Sequence, residues 1–408
     1  MRTHTTVSRA SFSVIAVLSV AASLSAGDWP QWRGPARDGK AIGFEAPKTW
    51  PKDLVQKWKV TVGRGDGSPA LVGDKLFVFT RDDLSEVTLC LDAATGKELW
   101  KGKYDALPSN EPRGEHPGPR STPTVAGGKV VTYGVRGTLS CLDAATGKML
   151  WRKDDFAGVW PKFFTSSSPI IVNNLCIAQL GGDDKGGIVA YDLATGDQKW
   201  KWEGDGTGYA SPTTMTAGDV PMLVTLTAKK IVGISVADGK LLWEAAFPPQ
   251  QRAYNSATPI IDGQTVIYTG AARGMKAVKI EKAGDAFAAK ELWSVPDTAV
   301  QFNSPVLKDG RIYGITQKGA LFCVDAKDGK TLWTAPFTAN GFGSIVDAGS
   351  VLMALAPEGD LTIVEPSEKE FKKLASYKVG VATYAYPVPA GNKIYIRDKD
   401  SLTLWGFE

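Results

Sequence analysis

Short runs of apolar, β-branched residues alternate along the chain with polar turns, and one ten-residue pattern recurs. Its clearest copies are LDAATGKELW at Leu91–Trp100, LDAATGKMLW at Leu142–Trp151 and YDLATGDQKW at Tyr191–Trp200. The pattern predicts a tight β-hairpin, because the Asp carboxylate can accept hydrogen bonds from the backbone of the turn and the Gly can adopt a positive φ. The last four residues, which end in Trp, then form the returning strand.

Repetition of this hairpin organises the whole chain. Weaker copies lie at Ile234–Trp243 and Val324–Trp333. A turn that recurs at intervals of about 40 to 50 residues indicates a propeller or an array. Each unit opens with a small residue, usually followed by Pro, and then runs through a polar turn into a β-rich strand. The openings are Ser68-Pro69, Thr122-Pro123, Ser168-Pro169, Ser211-Pro212, Thr258-Pro259 and Ser304-Pro305, with Gly343-Ser344-Ile345 and Tyr386-Pro387 in the seventh and eighth places.

Eight openings predict an all-β fold, an eight-bladed β-propeller of four-stranded antiparallel blades that occupies residues 54–408. The eighth unit stops after three strands, at Leu402–Phe407, whereas a strand around Trp58 precedes the first unit without a turn in front of it. Pairing the N-terminal Trp58 strand with the C-terminal blade would close the ring and remove its exposed edge.

Seven of the 13 tryptophans share one repeated position in the last strand of a blade. They are Trp58, Trp100, Trp151, Trp200, Trp243, Trp293 and Trp333. We expect each indole to act as a structural blade clasp that wedges between neighbouring blades and buries about 150–250 Å². Direct contact with a ligand is the alternative interpretation.

The repeating unit, with its Asp, Thr-Gly-Lys and Trp positions and its Ser-Pro opening, resembles the pyrroloquinoline-quinone (PQQ)-like repeat. The resemblance covers nearly all of the chain after the N-terminal region, and it implies an eight-bladed propeller locked by Trp-docking motifs. The family contains quinoprotein alcohol and glucose dehydrogenases and also a non-enzymatic outer-membrane β-barrel assembly lipoprotein that binds partner proteins. Asp28–Gly39, DWPQWRGPARDG, resembles the segment at the head of exported, planctomycete-type members.

The N-terminus predicts an exported protein. Arg2 and Arg9 precede the apolar run Ser11–Ala22, and small residues follow it. The run is too short to span a bilayer and is typical of a secretory signal peptide over residues 1–26. Residues 27–53 then form a strap that we expect to pack its indoles on the body of the protein. We predict a location in the periplasm or cell envelope, no transmembrane segment in the mature chain, and a monomer.

Charge and cysteine usage narrow the function classes. The formal net charge is +4, and no segment concentrates Lys and Arg. The chain therefore lacks the basic surface that nucleic-acid binding requires. Cys90, Cys141 and Cys323 occupy the same strand position in three different repeats, too far apart for disulfides, so we expect buried free thiols. His116 is the single histidine after the signal region, which disfavours a His-rich zinc site, and we predict no metal site.

Function is predicted to lie in the loops that lead into the openings, because propellers bind ligands at one end of the central channel. These loops carry the side chains that we nominate for partner binding, as an apolar surface with a ring of cations. The candidates are Arg64, Arg120, Lys162, Phe163, Phe164, Tyr209, Arg252, Tyr254 and Phe342. The alternative is that the same residues only seal the channel mouth.

Three functions remain open from the sequence. The leading hypothesis is a non-catalytic exported scaffold that binds another envelope protein, with no cofactor. The first alternative is a PQQ-dependent oxidoreductase with calcium, for which Asp66, Asp205, Asn255 and Asn303 are the candidate oxygen donors. The resemblance implies adjacent paired cysteines and long inserts in such enzymes, and this chain has neither. The second alternative is a glycan or cell-wall binding module.

Overall fold

The computed structural model describes residues 27–110, 114–250, 253–284, 286–381 and 384–407. The predicted signal peptide lies outside these residues. The described chain contains 32 strands, which form eight four-stranded antiparallel sheets arranged as the blades of a propeller. The predicted all-β, eight-bladed fold is therefore confirmed.

The strands of the first half of the ring are β1 (Val55–Thr61), β2 (Ala70–Val72), β3 (Lys75–Asp82), β4 (Ser85–Asp92), β5 (Glu98–Asp105), β6 (Thr124–Ala126), β7 (Lys129–Tyr133), β8 (Leu139–Asp143), β9 (Met149–Lys153), β10 (Ile170–Val172), β11 (Leu175–Gly181), β12 (Gly186–Asp192), β13 (Gln198–Trp202), β14 (Thr213–Ala217), β15 (Val220–Leu226), β16 (Lys230–Ser235) and β17 (Leu241–Ala246). Those of the second half are β18 (Ile260–Asp262), β19 (Thr265–Gly270), β20 (Gly274–Ala283), β21 (Ala286–Val295), β22 (Val306–Lys308), β23 (Arg311–Ile315), β24 (Ala320–Asp325), β25 (Thr331–Pro336), β26 (Ser344–Asp347), β27 (Leu352–Leu355), β28 (Asp360–Glu365), β29 (Lys372–Lys378), β30 (Val388–Ala390), β31 (Lys393–Arg397) and β32 (Ser401–Gly406).

The two ends of the propeller join in one blade. Its strand order is β1-β32-β31-β30, and Trp58 pairs with Leu404 across the antiparallel β1–β32 ladder. The predicted closure by the Trp58 strand is confirmed. The first strands of neighbouring blades contact each other; for example, β2 contacts β6, and β22 contacts β26. These short strands therefore line the central axis.

The repeated turn has the predicted construction. The Asp92 carboxylate accepts hydrogen bonds from the backbone N–H of Thr95 at 2.8 Å and from its hydroxyl at 2.7 Å. Gly96 follows with a φ of 73°. These hydrogen bonds hold the pKa of Asp92 below its ordinary value, first through the Thr95 hydroxyl. The turn is thus stabilised locally, which explains why the same letters recur from blade to blade.

The clasp tryptophans lie between blades. Trp100 packs over Gly147 of the next blade, where an added Cβ would lie 2.4 Å from the indole, and its Nε1 donates to the carbonyl of Ala144 at 3.2 Å. Trp151, Trp200 and Trp293 make the same contacts in their blades. Trp243 differs, because its Nε1 donates to Sδ of Met222 in its own blade at 3.1 Å. In the next blade the repeated turn is replaced by the longer hairpin β20–β21.

The openings bind neighbouring blades through their hydroxyl groups. The Ser168 hydroxyl accepts from the backbone N–H of Thr122 at 2.9 Å, and the Ser211 hydroxyl accepts from that of Ser168 at 2.9 Å. The Ser304 hydroxyl accepts from Thr258 in the same way. A small residue with a hydroxyl group suits these openings, because a buried N–H must find an acceptor.

The strap, residues 27–53, enters the ring more deeply than the sequence predicted. Trp29 is fully buried and pairs with Leu71 of β2, and the guanidinium groups of Arg33 and Arg37 are buried as well. Each cation donates a hydrogen bond to a backbone carbonyl of a blade. Arg33 donates to Pro305 at 2.6 Å, and Arg37 donates to Pro169 at 2.9 Å. The first part of the strap, through Arg37, therefore plugs the central channel, whereas Trp50 and Pro51 contact Phe407 and Tyr377.

All four cysteines are buried and free. Cys90, Cys141 and Cys323 lie in the third strands of three blades, as their equivalent places in the repeat predicted. Burial raises the pKa of Cys90 to about 11 and that of Cys141 to about 12. The prediction of free thiols is confirmed.

Candidate binding site at the channel mouth

One end of the channel opens into a cavity of about 390 Å³. Six successive loops, which precede blades 3 to 8, each place one aromatic ring on its wall. We call these six residues the collar: Phe163, Tyr209, Tyr254, Phe302, Phe342 and Tyr384. The described residues of the loops before blades 1 and 2 supply Asp66, His116 and Arg120 to this wall. The mouth is therefore aromatic over most of its circumference and charged over the rest.

The first half of the collar is a set of perpendicular rings. Tyr254 lies edge to face with both Phe163 and Tyr209, at centroid separations of 5.0 and 5.6 Å. The Tyr209 hydroxyl accepts a hydrogen bond from the backbone N–H of Phe163 at 3.1 Å. Burial raises the pKa of Tyr209, so the phenol stays neutral. These contacts hold Phe163 at the rim although its side chain is 38% exposed.

The second half of the collar contains a parallel pair. Phe302 and Phe342 stack with centroids 4.2 Å apart and planes 3° from parallel. Tyr384 meets the edge of Phe342 at 5.5 Å and the imidazole of His116 at 4.8 Å. Phe302 remains 41% exposed. The wall of the cavity therefore includes two partly exposed phenyl groups, Phe163 and Phe302, from different halves of the collar.

The charged part of the mouth is held together by its own hydrogen bonds. Nδ1 of His116 lies 3.0 Å from Oδ2 of Asp66. The guanidinium of Arg120 donates to the carbonyl oxygen of His116 at 3.3 Å and to that of Phe163. Arg120 thus links the charged part to the collar. Burial and the nearby Asp66 carboxylate both raise the pKa of Tyr384.

Trp32 of the strap closes the floor of the cavity. Its Nε1 donates to the Thr258 hydroxyl at 2.8 Å, and its ring meets Tyr386 edge to face at 4.9 Å. Because the strap fills the channel below, the described residues form a cup that opens at the mouth. A smaller cleft of about 280 Å³ adjoins it, shares Asp66, His116 and Tyr384, and is lined further by Arg64, Glu115 and Lys399.

The structure brings many of the sequence-nominated residues together and separates others. Phe163, Tyr209, Tyr254, Phe342, Arg120 and Asp66 line the cup, and Arg64 lines the adjoining cleft. Lys162 is exposed, with Nζ 5.6 Å from the Phe163 ring. Phe164 is 4% exposed and stacks on Trp160, outside the cup. Arg252 lies outside the described residues.

Three of the residues nominated as calcium ligands form hydrogen bonds with neighbouring loops and strands instead. Asp205 accepts from the Thr227 hydroxyl at 2.6 Å and from the backbone N–H of Lys229 at 2.7 Å. Asn255 is buried, and its Oδ1 accepts from Arg273 at 2.7 Å. Asn303 is buried, and its Nδ2 donates to the carbonyl of Ile315 at 2.8 Å. None of the three lines the cup.

The positions of these residues show whether the cup could hold a calcium ion together with PQQ. Calcium takes six to eight oxygen ligands, mostly from carboxylates and carbonyls. Asp66 is the single carboxylate among the residues that line the cup, and one of its oxygens already faces His116. In the described part of the chain no three His, Cys, Asp or Glu side chains gather as a metal site. The side chains of the cup therefore do not fit that pair.

Among the lining residues with a ring, sequence reasoning missed four, namely Trp32, His116, Phe302 and Tyr384. One signal could have found two of them. Phe302 and Tyr384 stand two residues before their openings, as Tyr209 does before Ser211. Trp32 gave no such signal, because its position depends on where the strap crosses the ring.

The PQQ-like repeat family described as outer membrane protein assembly factor BamB matches residues 85–335 and again residues 285–408. The chain belongs to this family. The predicted PQQ-like repeat is thereby confirmed.

Individual relatives are more distant. Tetrathionate hydrolase of Acidithiobacillus ferrooxidans is 26% identical over 57% of the chain and 46% of its own length. BamB of Burkholderia pseudomallei is 26% identical over 48% of the chain and 47% of its own length. The chain thus spans less than half the length of these curated relatives. A solved europium-containing methanol dehydrogenase aligns with a TM-score of 0.72 at 15% identity, over 94% of the chain and 98% of that structure, which shows the fold alone.

The similar proteins therefore include enzymes as well as an assembly factor.

Across the residues that the structure describes, no helix is both long enough and apolar enough to cross a membrane.

Proposed function

We propose that this chain is an exported, non-catalytic propeller that binds another protein of the cell envelope through the loops at its channel mouth. The observation that carries the proposal is the collar. Its rings line an apolar cup, and two of them, Phe163 and Phe302, are partly exposed. Buried aromatic anchors surrounded by polar residues dominate the energetics of protein interfaces. The description of the family as an outer membrane protein assembly factor supports the same class of role.

The signal-like N-terminus supports an envelope location. In an oxidising compartment buried free thiols are protected by their burial, so the four free cysteines are compatible with export. The mouth offers cations and carboxylates around the collar, which would give orientation to a bound partner.

The test is capture of envelope proteins by the purified chain and by a double variant, Phe163→Ser with Phe302→Ser. These phenyl groups are 38% and 41% exposed, so their loss should leave the fold intact. A matched control is Leu241→Ser with Leu292→Ser, since those side chains are 40% and 47% exposed on β17 and β21, at the outer edges of their blades. Quantitative mass spectrometry should show partners that the wild type and the control retain and the collar variant loses.

Equal capture by the collar variant and the wild type would contradict a protein-binding mouth. The quinoprotein alternative has a separate test, because a ligand present at about 100 times its Kd stabilises a protein by about 2.7 kcal/mol. Addition of PQQ and calcium should leave the thermal transition unchanged if the scaffold proposal is right. Retention on a glycan column that depends on the collar would favour the cell-wall alternative instead.

A further inference from the structure

The collar and Asp66 together define the chemistry of what enters the cup, and this inference rests on the proposed function. We propose that the cup receives a neutral aromatic side chain with a hydrogen-bond donor at its tip, a Tyr or Trp, presented by an exposed loop of the partner. The ring would pack within the collar, and the donor would reach the Asp66 carboxylate.

The cup suits an aromatic ring. Six rings and the indole of Trp32 line a cavity of about 390 Å³, within the size range of small-ligand sites. The collar rings already meet in edge-to-face and stacked pairs at 4.2 to 5.6 Å. Such pairs contribute beyond the area they bury, so a further ring gains more here than an aliphatic side chain of equal area.

The cup also contains one open acceptor at its charged edge. Oδ2 of Asp66 faces His116, whereas Oδ1 makes no hydrogen bond within the described part of the chain. The Asp66 side chain is 18% exposed and lines both the cup and the adjoining cleft. A donor that enters the collar therefore meets a carboxylate oxygen at the edge of an apolar cavity, where hydrogen bonds to charged groups are strongest.

The charges around Asp66 select a neutral donor. An ammonium or guanidinium group would be repelled by the like charge of Arg120, which lines the same cup. An aryl carboxylate would meet the like charge of Asp66, and the Arg120 guanidinium already donates to the carbonyls of Phe163 and His116. A phenol or an indole satisfies both the collar and the carboxylate.

The shape of the cup selects a side chain on a loop. The strap blocks the channel below Trp32, so no chain can thread through the ring. A residue at the tip of a loop can enter from the open side and leave by the same route.

The test uses N-acetyl-tyrosinamide and N-acetyl-phenylalaninamide, which differ by one hydroxyl group, with N-acetyl-leucinamide as an aliphatic probe. Ligand-observed NMR titrations on the full-length mature chain should give a Kd about tenfold lower for the tyrosine amide than for the phenylalanine amide. The leucine amide should bind more weakly than either.

Variants locate the site. Asp66→Ala should reduce the preference for the tyrosine amide to less than about twofold and leave the phenylalanine amide unaffected. Asp262→Ala, an exposed carboxylate at the end of β18 and outside the cup, is the control and should keep the full preference. Phe302→Ser should weaken both aromatic amides. Equal affinities of the two amides in the wild type, or no saturable binding of either, would overturn the proposal.

A short peptide with an internal tyrosine separates the two possible sources of the ring. The peptide should bind at least as tightly as the amide if the cup receives a loop. Binding of the amide without the peptide would make the cup a small-molecule site and overturn docking of a side chain. Equal capture of envelope proteins by the collar variant and the wild type, with the tyrosine preference intact, would contradict the proposed function and not the chemistry of the cup.

Discussion

The hydroxyl group of Tyr386 accepts a hydrogen bond at 2.8 Å from the backbone N–H of Ser304, 82 residues earlier in the chain. In four other blades a serine hydroxyl at the next opening supplies that acceptor. The seventh opening has Gly343 in this place, so no side chain is available there. Tyr386, which stands at the eighth opening, reaches past the seventh blade and replaces the missing group.

Tyr386→Phe should therefore destabilise the ring although it removes one atom. The Ser304 N–H is buried, and a buried donor without an acceptor costs about 1–3 kcal/mol. Urea denaturation of the variant should show that loss of unfolding free energy with an unchanged m-value. Tyr313→Phe is a matched control, because its hydroxyl makes a longer contact of 3.3 Å with the carbonyl of Ser367. Equal losses in both variants would mean that the contact with Ser304 has no special importance.

Trp100→Ala should cost about 3–5 kcal/mol of unfolding free energy, because it leaves a cavity between two blades. Trp100→Phe should lose less, since the phenyl ring still covers Gly147 while the hydrogen bond to the Ala144 carbonyl is absent. Chemical denaturation of the three proteins measures both differences. A loss below about 1 kcal/mol for the alanine variant would show that the indole does not hold the blades together.

Glu86 should make the stability of the protein depend on pH. Burial raises the pKa of this carboxyl group, against the opposing effect of its hydrogen bond with Tyr104. A raised pKa in the folded state means that the contribution of Glu86 is complete below the unfolded pKa of about 4.3 and declines as pH rises through the folded pKa. Glu86→Gln removes this titration. The urea midpoint of the wild type relative to the variant should therefore fall as pH rises above about 4.3, and a constant difference would contradict a raised pKa.

The four thiols should be unreactive in the folded protein. All are buried, and burial raises the pKa of Cys323 to about 11, as it does for Cys90. Since the thiolate is the reactive form, an aromatic disulfide reagent such as DTNB should label none of them under native conditions and all four in guanidinium chloride. Rapid labelling of a thiol in the native state would indicate local opening of its blade.

The repeating parts of this fold were accessible from the sequence, because each depends on local chemistry. The turn at Asp92 needs an acceptor and a Gly within five residues, and the clasp at Trp100 follows at a fixed distance. Closure by the Trp58 strand followed from counting strands. Where one blade departs from the repeat, as at Tyr386, the compensating contact comes from another blade and leaves no local signal.

The candidate site was harder to predict, because loop side chains have no periodicity. Phe163 and Phe164 are neighbours in the sequence and were equally good candidates. Phe164 adopts a φ of 63°, and this backbone turn sends its ring to Trp160 while Phe163 enters the cup. The pairing of His116 with Asp66 joins loops 50 residues apart. Neither outcome can be predicted from residue types.

The strap gives the propeller two unlike faces. Gly27 lies against Ala390 and Gly391 at the far end of β30, and the Asp28 carboxylate accepts from the N–H of Gly73 in the corresponding turn of the first blade. The collar lies at the other end of these inner strands. If the protein were tethered to another surface through Gly27, the cup would therefore open on the side away from that surface.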